Sequence, residues 1–210
     1  MNTHAPARPP RRDTLNTRRR LVDAAETLFA ERGVDNVTLL EVARAAGQKN
    51  RNAAQYHFGD KAGLINAVLD KHSDLISLRR RPMVEALLAT PAPTLGELVE
   101  AYVRPVAEHV ANDGNGLAFL LVNCQIRTSG AFAHLGAGRV DRYPEVRQLT
   151  RLIERKMTVH SRAQRQAKML LIQTMLFHGL AGFHVAGNAG SGKTFVRTLC
   201  AGVEAVLAAP

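Results

Sequence analysis

Tryptophan is missing from this 210-residue chain, and aromatic residues make up only 5% of it. Its core must therefore rest on aliphatic side chains. Long β-branched runs are also missing, while Ala, Leu and Arg are plentiful, which favours an all-α fold over a sheet. The only two cysteines, Cys124 and Cys200, give no disulfide framework and no metal-type spacing, so neither a cofactor nor a metal is expected. The N-terminus has no apolar run of the kind that opens a secretory signal, and a cytoplasmic location is the expectation. The most apolar stretch, Met169 to Phe183, is interrupted by Gln173, Thr174 and His178, so a buried helix is expected there rather than a membrane span.

What is present is a chain 46% hydrophobic, long enough for one large or two small domains. The net charge is +10, unevenly spread. Residues 1–20 carry six Arg against one Asp, while residues 21–80 are balanced. Three of the nine prolines fall within residues 1–13, which read as a disordered basic arm. Such an arm suits phosphate, or is simply a solvated tail.

The most informative stretch is 38–64. Thr38 and Glu41 have the spacing of a capping box. Leu39, Leu40, Val42, Ala43 and Ala46 then mark a helical apolar face, and Gly47 ends it. A second short helix is expected over about 50–57. It is too polar to be a core element, with Lys49, Asn50, Arg51, Asn52 and Gln55 close together. Arg, Asn and Gln are the side chains that make bidentate contacts to base edges in the major groove.

These residues resemble the helix-turn-helix of TetR/AcrR-type bacterial transcriptional regulators: Thr38 opening the second helix, the Ala46-Gly47 break, Tyr56-His57-Phe58, then Lys61 and Leu64. The likeness covers about residues 15–65. Gly47 to Phe58 is one residue longer than the family spacing. The resemblance implies a DNA-binding head at residues 14–60 and a helical effector-binding and dimerisation domain at 61–210. Its implied partners are double-stranded DNA with a palindromic operator, a second copy of the chain, and a small-molecule effector; no membrane is involved. The expected base readers are Arg51, Asn52 and Gln55, with Asn50 replacing Asn52 if the extra residue shifts the helix. Thr38, Lys49, Tyr56, His57 and Lys61 are the expected phosphate contacts. For Lys61 the plain alternative is an exposed lysine, and for His57 a packing residue beside Phe58.

Farther along, a helix from Asp60 is expected to stop where Arg79-Arg80-Arg81-Pro82 breaks the pattern. Thr94 to Glu97 is a second capping box, and Pro105 predicts a kink in the helix it opens. An apolar segment follows at 117–128, then a Gly-rich stretch at 129–144. Pro144 starts a further helix, and Ser161 to Gln164 is a third capping box. The last two helices, with Gly179, Gly182 and Ala186 keeping one surface small, suit a four-helix dimer interface.

Gly187 to Thr194 matches the phosphate-binding P-loop pattern letter for letter. It follows a helical run instead of a strand, and too little chain remains for a parallel sheet. A Gly-rich turn between two helices is the expectation, and the chain is not expected to be an enzyme. The resemblance places an effector pocket within the C-terminal helices, with Val103, Phe119, Val122, Cys124, Phe177 and His178 as expected lining. Cys124 reads as a redox sensor or a structural thiol. His178 reads as a ligand or a hydrogen-bonded core residue. Residues 139–168 hold nine basic and three acidic groups, suited to an acidic effector such as an acyl-coenzyme A thioester, or to solvation.

Overall fold

The computed structural model describes residues 12–137, 142–157, 161–187 and 191–210. Among these every regular element is a helix. The N-terminal head holds α1 (Arg12–Arg32), α2 (Leu39–Ala45) and α3 (Ala53–Phe58). A long helix, α4 (Lys61–Ala89), leads from the head into the body. The body adds α5 (Leu95–Asn112), α6 (Gly116–Thr128), the short α7 (Ala133–Ala137), α8 (Pro144–Lys156), α9 (Arg162–Val185) and α10 (Gly192–Ala208). Most of the basic arm expected at residues 1–13, and residues 188–190 of the P-loop-like stretch, lie outside the described residues.

Local signals set most helix ends. Leu21, Ala25 and Phe29 are buried at i, i+4 and i+8 and fasten α1 to the rest of the head. All three capping boxes form. Thr38 Oγ1 accepts from Glu41 N at 3.2 Å while Glu41 Oε2 accepts from Thr38 N at 2.8 Å, and Thr94–Glu97 and Ser161–Gln164 repeat the pattern. Gly47 ends the α2 segment at φ 66°, a conformation costly for any residue with a Cβ.

Two expectations are corrected. Helix α4 does not end at Arg79–Pro82 but continues to Ala89. A proline inside a helix costs about 3 kcal/mol. Beyond it, Val84 and Leu87 are buried, each contributing roughly 1.5–3 kcal/mol. Arg80 is also buried and donates from Nε to Ala101 O (3.2 Å) and from Nη2 to Tyr102 O (3.3 Å). Long-range packing outweighs the local break. The second correction concerns the reading helix, which starts at Ala53, three residues later than expected. Asn50 Oδ1 accepts from Asn52 N (2.9 Å), folding Asn50, Arg51 and Asn52 into a side-chain-capped turn ahead of α3.

No helix among the described residues is long and apolar enough to cross a membrane. Helix α9 instead buries Ile172, Leu176 and Leu180 on its inner side and leaves Leu170 and Leu171 exposed.

Candidate nucleic-acid interface and the cavity behind it

Ala53 and Ala54 are buried, so α3 sits close against its neighbours and presents its other side outward. Lys49, Asn50, Arg51, Asn52, Gln55 and Tyr56 are all exposed, Tyr56 at 81%. Arg44 lies exposed beside them. The surface is polar, positive and free of acidic groups from Val42 to Gly59. Arg51 is held at the turn before the helix, and Gln55 on the helix itself, so the expected base readers come from two kinds of backbone.

The remaining expected phosphate contacts have intramolecular partners. Thr38 Oγ1 donates to Glu41 Oε2 (2.8 Å), and Arg32 holds the same carboxylate at 2.6 Å. The Thr38 hydrogen bonds and Arg32 together pull the Glu41 carboxyl down to about 2. His57 is half-buried, and its backbone carbonyl accepts from Arg18 Nη1 (3.2 Å) while Arg18 lies over the Phe58 ring (4.5 Å). Burial, then Arg18, lowers the His57 imidazole, so it contributes no charge to the face at neutral pH. Lys61 Nζ donates to Asp35 O (3.0 Å) and lies 5.4 Å from the Phe132 ring centroid. Lys61 thus spans from the head to the body.

The head is tied to the body at further points. Gln125 Oε1 accepts from Val34 N (2.9 Å), and Ser129 Oγ donates to Asp35 Oδ1 (2.9 Å). Deeper in, Glu26 of α1 is buried and accepts from Lys71 Nζ (2.6 Å) and from His72 Nε2, both on α4. His72 Nδ1 faces His109 Nε2 on α5 at 2.8 Å, and Arg79 Nη1 lies 3.2 Å from His109 Nδ1. The proton positions follow from the partners. Arginine only donates, so His109 Nδ1 accepts; His109 Nε2–H then donates to His72 Nδ1, and His72 Nε2–H to Glu26. Burial, then His72, lowers His109, consistent with a neutral His109 ring. His72, His109 and Asp113 bring potential metal ligands within 4.8 Å. Binding an ion there would require His109 Nε2 to give up its proton to Nδ1, where Arg79 already points an N–H. The relay therefore acts as a buried strut between α1, α4 and α5.

The His72 ring also stacks on Phe119 of α6 (4.8 Å, 26°), and Phe119 meets Phe177 of α9 edge-on (6.2 Å, 70°). Phe119 and Phe177 line a cavity of about 110 Å³ between α4, α5, α6, α7, α8 and α9. Of the other expected pocket residues, Val103 and Val122 are buried outside its lining, Cys124 is half-buried, and His178 is exposed on α9. His178 is thus neither a lining nor a core residue: its helix is buried on one side only, and His178 lies on the other. Burial pushes the Cys124 and Cys200 thiols up to about 11, the opposite of a reactive redox sensor.

Polar residues that sequence reasoning missed complete the cavity wall: Arg80, Tyr102, Asn123, Arg127, Tyr143 and Gln173. They come from α4, α5, α6 and α9 and from the residue that caps α8, and only the packing of several helices brings them together. The basic segment at 142–156 is not one of these walls as a whole. Arg142 pairs with Asp70 (2.7 Å), and Arg151, Arg155 and Lys156 are exposed. The P-loop-like stretch follows helix α9 and leads into helix α10, with no strand before it among the described residues.

Comparison with known proteins places these features in a family. Residues 21–68 match the family model described as bacterial regulatory proteins, tetR family. The HTH-type transcriptional regulator TtgR of Pseudomonas putida is 40% identical over 63 residues, 30% of either chain, so this match spans under a third of that relative. The HTH-type transcriptional repressor BepR of Brucella suis is 29% identical over 191 residues, covering 81% of this chain and 85% of that one. Among solved structures, NalD of Pseudomonas aeruginosa, a secondary repressor of the MexAB-OprM multidrug efflux pump, superposes with a TM-score of 0.59 at 20% identity, covering 89% of this chain and 95% of that one. The fatty acid degradation regulator FadR of Bacillus halodurans gives 0.58 at 16% identity, covering 88% and 94%. These two likenesses concern the fold. Together with the exposed polar face of α3 and the helical body behind it, the matches identify residues 21–68 as a domain of the tetR family and make the chain similar to TetR/AcrR-type bacterial transcriptional regulators over most of its length.

Proposed function

We propose that the protein is a homodimeric repressor, acting in the cytoplasm, that binds a palindromic operator and releases it when a small molecule enters the body cavity. It performs no chemical step. The observation that carries this reading is the double duty of α6. Its Phe119, Asn123 and Arg127 line the cavity, while Gln125 on the same helix accepts from Val34 of the head, and Ser129 just past it donates to Asp35. A ligand that moves α6 changes the seating of the head. The contact from Phe119 through His72 to Glu26 of α1 gives the cavity a second mechanical link to the same place. Both links supply a differential interaction on which allosteric coupling depends.

Dimerisation through α9 and α10 is supported by their outer sides. Leu170, Leu171 and Val185 are exposed on α9 beside the small Gly182, and Ala201 and Ala205 are exposed on α10. Such a surface suits close helix packing against a second copy. A twofold dimer would set two α3 helices roughly 34–36 Å apart, in successive major grooves.

The test is selection from a random duplex pool with the purified protein. An enriched palindrome is expected, and its half-site spacing measures the separation of the heads. Salt-sensitive retention without any consensus would refute the operator reading. The selected duplex then reports effectors through its release.

A further inference from the structure

Arg127 is a buried cation with little compensation among the described residues. Its guanidinium is largely buried, yet no carboxylate among the described residues pairs with it. Nη1 donates to Gln173 Oε1 (2.6 Å), the Phe177 ring lies 4.8 Å from Cζ, and the buried Nε–H has no acceptor. The groups that act on its charge are Tyr102 and Cys124, both neutral at physiological pH. Arg80, the other cavity arginine, differs. It is held by two backbone carbonyls and feels the buried carboxylate of Glu145. A buried cation without a counter-charge is costly, and a free donor beside it adds to the cost. Both are relieved by one anionic group with acceptor oxygens.

Position and size narrow the choice. Arg127, Gly136, Thr150, Met169 and Gln173 line both the inner cavity and an open cleft of about 720 Å³ outside it, so Arg127 stands where the two meet. The outer cleft carries Arg162, Arg165 and Glu154. Inward lie Ile76, Tyr102, Val106, Phe119, Leu176 and Phe177, an aromatic and aliphatic lining. The inner volume of about 110 Å³ is of the order of the ~150 Å³ engineered cavity that holds benzene. It suits one ring.

We infer that the effector is a monocarboxylate bearing a single aromatic ring, with its ring inside against Phe119 and Phe177 and its carboxylate on the Arg127 guanidinium. This rests on the proposed effector role of the cavity and adds the ligand class to it. The carboxylate accepts from Arg127 Nε–H, and the ring bears on the Phe119 face that supports His72.

The experiment is calorimetric titration of the full-length protein with benzoate and phenylacetate, and with neutral benzamide and phenylacetamide as partners of matched shape. The expected result is that the two carboxylates bind at least about tenfold more tightly than their neutral partners, as a charge-assisted hydrogen bond implies. Arg127→Met should bring each pair to within about threefold. Arg127→Lys, which keeps the charge and the fold if the methionine variant does not fold, should fall between. Equal binding of benzoate and benzamide overturns the carboxylate assignment and leaves the effector role standing. A carboxylate preference that survives both substitutions overturns it too, by putting the anion elsewhere. If no ring compound binds but an unrelated compound releases the selected operator, the inference alone falls. If nothing binds and no compound in a broad panel releases DNA, the effector role falls with it.

Discussion

The reading face and the cavity use the same side chains in opposite ways. On the head, Arg51, Asn52 and Gln55 stand exposed around α3. In the body, Arg127, Asn123 and Gln173 line a cavity walled by six helices. An exposed polar group is satisfied by water until a macromolecule replaces that water, so its removal costs binding and little else. An enclosed polar group must be satisfied by the fold or by a ligand, so its removal costs stability, and its unfilled valences carry information. Arg51 says only that an acceptor-rich surface suits it. Arg127, with a buried N–H lacking any acceptor, says what is wanted and where.

The sharpest way to break this contrast is to delete one buried and one exposed charge and compare stability. Glu26 holds Lys71 and His72 while almost wholly buried. Glu26→Ala strands buried His72 and leaves Lys71 with Asp23 alone (2.8 Å), and should lower unfolding free energy by about 3 kcal/mol, read from urea unfolding at neutral pH. Arg51→Ala should stay within about 0.5 kcal/mol of the parent. If the two variants unfold at the same urea concentration, the buried relay is not holding α1 to α4, and the link from cavity to head loses its main strut.

On the operator the ranking inverts. Arg51→Ala should weaken binding by about 1–3 kcal/mol and relax base preference at one position of the half-site. Lys49→Ala should weaken all duplexes alike and reduce the salt dependence by about one charge. An Arg51 variant that loses affinity equally for every sequence would reassign Arg51 to the phosphates, and leave Gln55 as the remaining reader on α3.

The same contrast explains what could be read from sequence. The head is written in short-range signals. A capping box at Thr38 and Glu41 and a glycine at 47 lie within a few residues of one another, and both form as expected, while the polar segment after them becomes helical only from Ala53. The extra residue before Phe58 was visible as spacing. What it does was not, because the Asn50 turn depends on where α3 seats against α1 and α2. The body is written in long-range contacts. Arg80 was legible only as part of a break before Pro82, because the carbonyls that hold it belong to residues 101 and 102. Phe119 and Phe177 were expected in the pocket as aromatics in apolar helices. His178, one residue past Phe177, was misplaced because an almost uniformly apolar helix gives periodicity little to work on, and its inner side is chosen by its neighbours.

A smaller effect tests the head's local character. Thr38→Ala removes the α2 cap and should cost about 1 kcal/mol of stability. Its pH dependence can be signed. The Glu41 carboxyl in the folded protein is held at about 2, below its unfolded value, by the Thr38 hydrogen bonds first and then Arg32. A depressed carboxyl stabilises the folded state above its unfolded pKa, and that contribution fades as pH falls toward the folded value. The gap between parent and Thr38→Ala should therefore hold at neutral pH and narrow between about pH 4.5 and 2. A gap that is flat across this range would mean that the box contributes through backbone geometry and not through the carboxylate.

The smallest expected effect concerns the thiols, and it probes the body alone, because the head has no cysteine. Burial pushes Cys124 and Cys200 up to about 11, so at pH 8 both should alkylate roughly a hundredfold more slowly than in the unfolded chain. Neither thiol is a DNA or cavity contact, and modification in denaturant followed by refolding is not needed to read the result: rates of iodoacetamide labelling, native against unfolded, are enough. Cys124 is the more telling of the two. It is half-buried on α6, three residues from Arg127, and its thiol is held neutral by the same desolvation that leaves the Arg127 Nε–H without an acceptor. Slow labelling means that α6 stays seated around Cys124 on the timescale of the reaction, which keeps the buried Arg127 Nε–H away from solvent while the outer cleft leaves an anion its way in. Labelling at the unfolded rate would mean that α6 opens readily. Water would then reach Arg127, its demand for a counter-charge would fall toward that of Arg51 on the surface, and the distinction between the two arginines would be one of position and not of energy.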